Sequence, residues 1–243
     1  MKAAPKAERR HISVLPCSVV DIEAQKQRRR EGEHGSTSSR ADYSNFPEEV
    51  SKLCFELYLH ECRKVFDPFA GWGERAAMAE WYFMDYFGVD INPEAIRKAE
   101  EVYGVRNHLG DSRSFKPDFA FDGLVTCPPY WNLERYSSEG LDAIKSWEGF
   151  LEEYQRTWEN VWSFAEPGAV FCVMVCDWRS KGRYYDFTYR TQKIFSDLGA
   201  DPVDQVVVSR KGISKIKVMI PQSVANGYTV KVHENLLVFR KPS

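Results

Sequence analysis

The stretch Lys64-Val65-Phe66-Asp67-Pro68-Phe69-Ala70-Gly71-Trp72-Gly73 sets the fold. Residues 64–67 are a short strand, since Val65 and Phe66 favour extended, sheet-packed backbone. Residues 68–73 combine a proline with two glycines in a tight turn, and a helix is expected from Glu74. A strand that turns through glycine into a helix is half of a βαβ unit, and the pattern recurs downstream. Residues 86–90 read as a second strand. The helix after it opens at Asn92-Pro93-Glu94, where the N–H that proline lacks is not needed. Residues 105–109 and 121–126 are a third and a fourth strand. An amphipathic helix over residues 147–164 leads to a strand at 169–176, apolar throughout, as in the middle of a parallel sheet. A helix near 189–198 and strands near Val206 and over 230–239 complete the pattern. Upstream, Pro47-Glu48-Glu49 opens a helix with Val50, Leu53, Cys54, Leu57 and Tyr58 at apolar spacing. Strands alternating with helices predict an α/β fold, a mostly parallel sheet with helices on both faces. Ligands of such sheets lie beyond the carboxyl ends of the strands, at a topological switch point.

Those strand ends carry the candidate chemistry. Gly71 and Gly73 let backbone approach a ligand closely, ahead of a helix N-terminus. Asp90 ends the second strand, where a carboxylate can accept both hydroxyls of a ribose. Gly110-Asp111-Ser112 follows the third strand, and an aspartate there can receive an adenine amino group. Each acid alone reads as a helix cap or a surface charge; three consecutive strand ends with glycine loop, acid and acid read as a nucleoside site. The loop lacks the third glycine of a dinucleotide fingerprint and the lysine of a Walker loop. A nucleoside without phosphates therefore fits better, and S-adenosylmethionine is such a ligand.

The fourth strand ends in Cys127-Pro128-Pro129-Tyr130. Two prolines remove two N–H donors and leave carbonyls that only accept. An amino group presented to them would donate, and its lone pair would point at a methyl donor. Tyr130 and Trp131 are candidates to stack on a base.

These motifs resemble those of the DNA amino-methyltransferases, which modify adenine N6 or cytosine N4. Residues 66–73 are similar to their cofactor loop, Cys127-Pro128-Pro129-Tyr130 to their catalytic tetrapeptide, and Tyr43-Ser44-Asn45-Phe46-Pro47-Glu48 to the segment that closes over the methionine part of the cofactor. Residues 131–137 and 231–239 resemble phage and prophage DNA methylases more closely. The resemblance covers roughly residues 43–240. It implies a Rossmann-like class I methyltransferase fold with a seven-stranded sheet, and S-adenosylmethionine converted to S-adenosylhomocysteine. The implied cofactor residues are Phe46, Asp67, Pro68, Phe69, Ala70, Gly71, Gly73, Asp90, Ile91, Asp111 and Ser112; the implied catalytic residues are Cys127, Pro128, Pro129 and Tyr130. Two positions depart from the family. Glu74 stands where a small hydroxyl residue is usual, and Cys127 where Asp, Asn or Ser is usual. The choice between adenine and cytosine stays open. Carbon-5 methylation through a cysteine adduct is the rival for Cys127, but the cysteine of such enzymes usually follows a proline rather than preceding one.

Net charge is −2 over 243 residues, unevenly spread. Residues 1–40 hold nine Lys/Arg against five Asp/Glu, and residues 178–243 hold twelve against five. A polyanion responds to local field rather than to the total. Arg28, Arg29, Arg30, Trp131, Arg210, Lys211, Lys215 and Lys217 are the candidate DNA contacts, with the target base flipped out of the duplex. Residues 1–42 read as a basic, loosely structured segment. Residues 43–243 read as the catalytic domain, with a small basic recognition element near 205–228. The six cysteines form no CxxC, and no apolar leader or bilayer-length run is present. A cytoplasmic protein without metal or membrane span is expected, as monomer or homodimer. The alternatives are the same chemistry on RNA or on protein glutamine, and a non-catalytic DNA-binding relative.

Overall fold

The strands expected at 64–67 and 121–126 lie side by side at the centre of a sheet. The computed structural model describes residues 12–23, 46–133, 139–211 and 216–243, leaving aside the side chains of 216 and 217. Eight strands form the main sheet: β1 (Val19–Glu23), β2 (Lys64–Asp67), β3 (Asp85–Asp90), β4 (His108–Leu109), β5 (Phe121–Thr126), β6 (Ala165–Val175), β9 (Asp201–Lys211) and β10 (His233–Arg240). Strands β7 (Trp178–Ser180) and β8 (Arg183–Tyr185) form a separate antiparallel hairpin. The sheet order is β1-β9-β10-β6-β5-β2-β3-β4, and β10 alone runs against its neighbours. The chain steps outward from β2 to β3 and β4, then returns to β5. The switch point therefore falls between the carboxyl ends of β2 and β5.

The helices are α1 (Glu48–Leu53), α2 (Glu74–Trp81), α3 (Pro93–Tyr103), α4 (Trp147–Ser163), α5 (Phe187–Asp197) and α6 (Ile216–Ala225). Helix α4 starts at Ser146, whose hydroxyl accepts from the Gly149 N–H at 3.1 Å. Phe150, Tyr154, Trp158 and Val161 fall on one side of α4 and are fully buried against the sheet. Burying each such side chain is worth about 1.5–3 kcal/mol. Phe195 of α5 joins that layer and stacks on Phe239 of β10 at 4.3 Å between centroids. On the other sheet face, Leu53 and Phe55 pack with Val65, Val125 and Cys172.

One feature differs from the sequence expectation. The sheet has an eighth strand, because β1 pairs in parallel with β9 and buries Val20 and Ile22. Part of the 1–42 segment is thus a sheet edge. Its apolar signal spans only Val19, Val20 and Ile22, beside a highly charged run. Near 205–228 the structure holds the end of β9 and then helix α6, with Val218, Met219, Ile220 and Val224 exposed.

Candidate active site

The loop after β2 is built on a buried aspartate. Asp67 is wholly inaccessible, and Arg75 of α2 donates to its Oδ2 from Nε at 2.6 Å. Tyr86 O–H donates to the same oxygen at 2.7 Å, and Thr126 O–H to Oδ1 at 2.5 Å. Arg75 also donates to the Phe69 carbonyl at 2.6 Å. Asp67 thus ties together β2, β3, β5 and the turn, and it does not line the cleft. Gly73 is likewise structural. Its φ is +96°, and a Cβ there would meet Ala99 Cβ and Val105 Cγ2 at 2.8 Å. Ala70 is buried, its N–H bonded to the Val89 carbonyl at 2.9 Å. These three residues, expected to touch a cofactor, do not line the cleft; they shape the turn that does.

The cleft itself opens at the switch point; the non-atom space within it, part of it open solvent, is about 1060 Å³. Phe46, Pro68, Phe69, Gly71, Asp90 and Ile91 line one part of it, and Asp111 and Ser112 the next. Asp90 Oδ2 accepts from the Gly71 N–H and Oδ1 from the Asn92 N–H, both at 2.8 Å. Burial pushes its carboxyl above the ordinary value, against those two donors. Asp111 behaves differently. Burial raises its carboxyl, but hydrogen bonds from Arg113 outweigh burial and leave it below the ordinary range. Ser112 turns its hydroxyl away, donating to the Pro68 carbonyl at 2.6 Å.

Cys127, Pro128, Pro129 and Tyr130 form the facing wall. Burial first, then the charge of Glu234, pushes the Cys127 thiol up to about 12. A thiol held protonated is a poor nucleophile. Its Sγ lies 3.7 Å from the Tyr130 hydroxyl. Tyr130 is buried edge-on to Trp178 and Phe187, which fixes its ring. Trp131, expected to meet a base, donates from Nε1 to the Ile144 carbonyl at 2.8 Å and packs on Trp147 and Tyr185. It supports the wall and does not line the cleft.

The expected DNA contacts are placed unevenly. Arg28, Arg29, Arg30 and Lys215 lie outside the described residues, as does the side chain of Lys217. Arg210 lines the cleft and gives both carboxylate oxygens of Glu234 a hydrogen bond, at 2.8 and 2.9 Å. Lys211 pairs with Asp21 of β1 at 2.7 Å.

Three features escaped the sequence reading. Glu234 and Arg75 line the cleft from expected elements, β10 and α2, but were not named as site residues. The third is the β7–β8 hairpin, hung on the carboxyl end of β6. Trp178 and Tyr185 anchor it to Tyr130 and Trp131. Its outer residues Arg179, Lys181, Arg183 and Tyr184 are exposed. Arg179 sits over the rings of Tyr184 and Tyr228, at 4.9 and 4.6 Å, and Lys231 over Tyr184 at 5.0 Å. Arg183 reaches Glu148 at 3.3 Å. The signal was Lys181-Gly182 between aromatic residues, a turn too short to stand out.

No family model matches the sequence, and no curated protein matches it. The coordinates do match solved structures. NodS, an N-methyltransferase from Bradyrhizobium japonicum WM9 solved with S-adenosyl-L-homocysteine, is 14% identical with a TM-score of 0.52, covering 80% of this chain and 87% of that one. The fold is that of the S-adenosylmethionine-dependent methyltransferases. SpnF, a [4+2]-cyclase, has it too, at 16% identity and a TM-score of 0.54, covering 79% of this chain and 80% of that one. Against TrmN from Thermus thermophilus (17% identity, TM-score 0.49) 74% of this chain is covered, and it spans only 44% of that one. Likeness at these identities establishes the fold, and the reaction must be argued from the site. Among the described residues no helix is long and apolar enough to cross a membrane, and no three His, Cys, Asp or Glu side chains are grouped to hold a metal ion.

Proposed function

We propose that this protein transfers a methyl group from S-adenosylmethionine to an exocyclic amino group of a DNA base, N6 of adenine or N4 of cytosine. The observation that carries the reading is one cleft with Asp90 and Asp111 on one side and Cys127-Pro128-Pro129-Tyr130 on the other.

The first side fits a nucleoside that carries no phosphate. The Gly71 N–H, which a phosphate cradle would aim outward, is spent on Asp90. Carboxylates suit the hydroxyls and amino group of adenosine and the positive charge of a sulfonium. Asp90 and Asp111 would hold the nucleoside, with Phe46 and Phe69 as apolar walls. When bound, the sulfonium supplies an electrophilic methyl group. The second side orients the acceptor: Pro128 and Pro129 offer carbonyls and no N–H, so an amino group can only donate to them. Holding both partners in one cleft supplies the orientation that such a displacement needs.

A base inside a duplex cannot enter this cleft, so the nucleotide must be flipped out. The β7–β8 hairpin packs on Tyr130 of the cleft wall and carries exposed Arg179, Lys181, Arg183 and Tyr184, a combination suited to phosphates and an unstacked base. Nucleoside mass spectrometry of DNA treated with protein and donor tests the reading. N6-methyladenine or N4-methylcytosine is expected. Label entering RNA or protein glutamine but not DNA would move the assignment to those substrates, and failure to bind the donor would remove catalysis altogether.

A further inference from the structure

Side chains of a strand alternate between sheet faces. Val206 and Val208 of β9, Leu236 and Val238 of β10, Cys172 and Met174 of β6 and Val125 of β5 belong to the core of one face. Counting by twos, Arg210, Glu234 and Cys127 lie on that same face. The register places Glu234 opposite Val208, Asn235 opposite Val175 and Thr126 opposite Val173. Cys127 is thus level with Met174, Glu234 lies about two residues further along the carboxyl edge and Arg210 about two beyond that, so the four form a diagonal row, and all line the cleft. Neighbouring strands are about 4.8 Å apart and each residue rises about 3.4 Å, so Glu234 stands two strands from Cys127 and about two residues beyond it. Its side chain is 15% exposed and that of Arg210 is 31% exposed.

That row has a chemical consequence. An amino nitrogen that gains a methyl group holds one proton too many. Cys127 keeps its own proton and accepts weakly. The proline carbonyls accept a hydrogen bond but do not carry a proton away. Asp90 and Asp111 sit at the ends of β3 and β4, beyond β2 from this wall. Of the other carboxylates that line the cleft, Glu74 follows the turn after β2 and Asp142 sits in a short helical turn ahead of α4, whereas Glu234 shares the sheet face of Cys127.

We propose that Glu234 is a catalytic residue that binds the target amino group and takes its proton, with Arg210 as the positioning residue that fixes the carboxylate. This rests on the amino-methyl transfer proposed above. The nitrogen lone pair forms the new N–C bond as the S–C bond of the donor breaks, and that electron pair stays on sulfur, which becomes a neutral thioether. The proton released from nitrogen passes to Glu234 and from there to water. One guanidinium nitrogen of Arg210, Nη2, donates to both oxygens of Glu234 and holds the carboxylate in place, with lone pairs still able to face the cleft.

The test is steady-state methylation of duplex DNA by full-length protein, with donor affinity by calorimetry. Glu234→Gln should lower kcat by roughly a hundredfold or more, the usual scale of a lost proton acceptor, with Kd for S-adenosylmethionine and KM for DNA nearly unchanged. Arg210→Ala should also lower kcat rather than raise KM, and Arg210→Lys should recover part of the loss. Should Arg210 left alone unfold Glu234→Gln, the double variant Arg210→Gln/Glu234→Gln leaves no lone buried charge and should be equally slow. Wild type active with Glu234→Gln at a comparable rate overturns the role of Glu234 alone. Wild type that transfers no methyl group to DNA overturns the substrate reading, and this proposal with it.

Discussion

Asp67 and Arg75 meet at 2.6 Å directly beneath the cleft, and neither side chain is more than 6% exposed. The pair does its work through the backbone. Arg75 reaches on to the Phe69 carbonyl, and Asp67 Oδ1 accepts from the Phe69 N–H at 3.1 Å. The turn that presents Pro68 and Phe69 to the cleft is thus held at both polar groups of one residue.

Arg75→Ala would leave Asp67 charged and buried without its cation. The expected cost is about 3–5 kcal/mol of folding stability. Asp67→Asn/Arg75→Met strands no charge and should cost less than Arg75→Ala alone. Denaturant unfolding of the two variants measures the difference; equal costs would show that the pair is not what braces the turn.

With Asp90 in the role proposed for it, donor binding should depend on pH. Burial holds its carboxyl above the ordinary value of 3.8. The charged form is the one that accepts ribose hydroxyls, so affinity for S-adenosylmethionine should fall as pH drops through that raised value. Folding responds with the opposite sign. The native state binds this proton more tightly than the unfolded chain does, so protonating Asp90 does not itself weaken the fold. Calorimetry on a descending pH series should show affinity lost while the protein stays folded. Asp90→Asn should bind at least about tenfold more weakly, having lost charge-assisted hydrogen bonds worth roughly 1.5–3 kcal/mol each. An asparagine variant with wild-type affinity and the same acid limb would exclude Asp90.

The cations that should hold a DNA backbone are those of the hairpin. Arg179→Ala and Lys181→Ala should each reduce the slope of log affinity against log salt by about one, with donor affinity unchanged. Arg210→Gln should leave the slope alone, because its charge is already matched by Glu234. A slope that responds to Arg210 and ignores the hairpin would return the contact to the site first expected from sequence.

What the sequence could show, and what it could not, divides on physical grounds. β2 and β5 were legible to the residue, because central parallel strands are apolar runs that end in strong turn signals, Pro68 and Cys127-Pro128-Pro129. β1 and the hairpin were not, because these short strands lie at the sheet edge or outside it, with no apolar run ending in a strong turn signal. The cleft's acids at Asp90 and Asp111 followed from the rule about strand ends. Asp67 obeys the same rule yet points into the protein, and only the partners Tyr86, Arg75 and Thr126, distant in sequence, reveal that. Glu234 was hidden for the opposite reason. It begins the antiparallel strand, whose amino end reaches the carboxyl edge of its neighbours, where the strand-end rule does not look.

The wall opposite the acids decides the mechanism. Cys127 is buried, its thiol is pushed up to about 12, and the chain then runs straight into two prolines. The chemistry expected of it is that of a spacer with a weak polar contact to Tyr130. Cys127→Ser keeps the size and accepts a hydrogen bond better, so methyl transfer should stay within about tenfold of wild type, a change of 1.4 kcal/mol or less in the barrier. Pro129→Ala loosens the carbonyl acceptors, and Tyr130→Ala removes a ring packed on Trp178 and Phe187. Either should cost roughly a hundredfold, the scale of a misplaced reactant. A nucleophilic cysteine requires the reverse order: the serine variant dead, the proline variant active and the product methylated on carbon 5. Initial rates of the three variants, with the product nucleoside identified by mass, separate the two mechanisms. A folded, donor-binding serine variant without activity, together with 5-methylcytosine from wild type, would overturn the amino-methyl transfer assigned to this cleft.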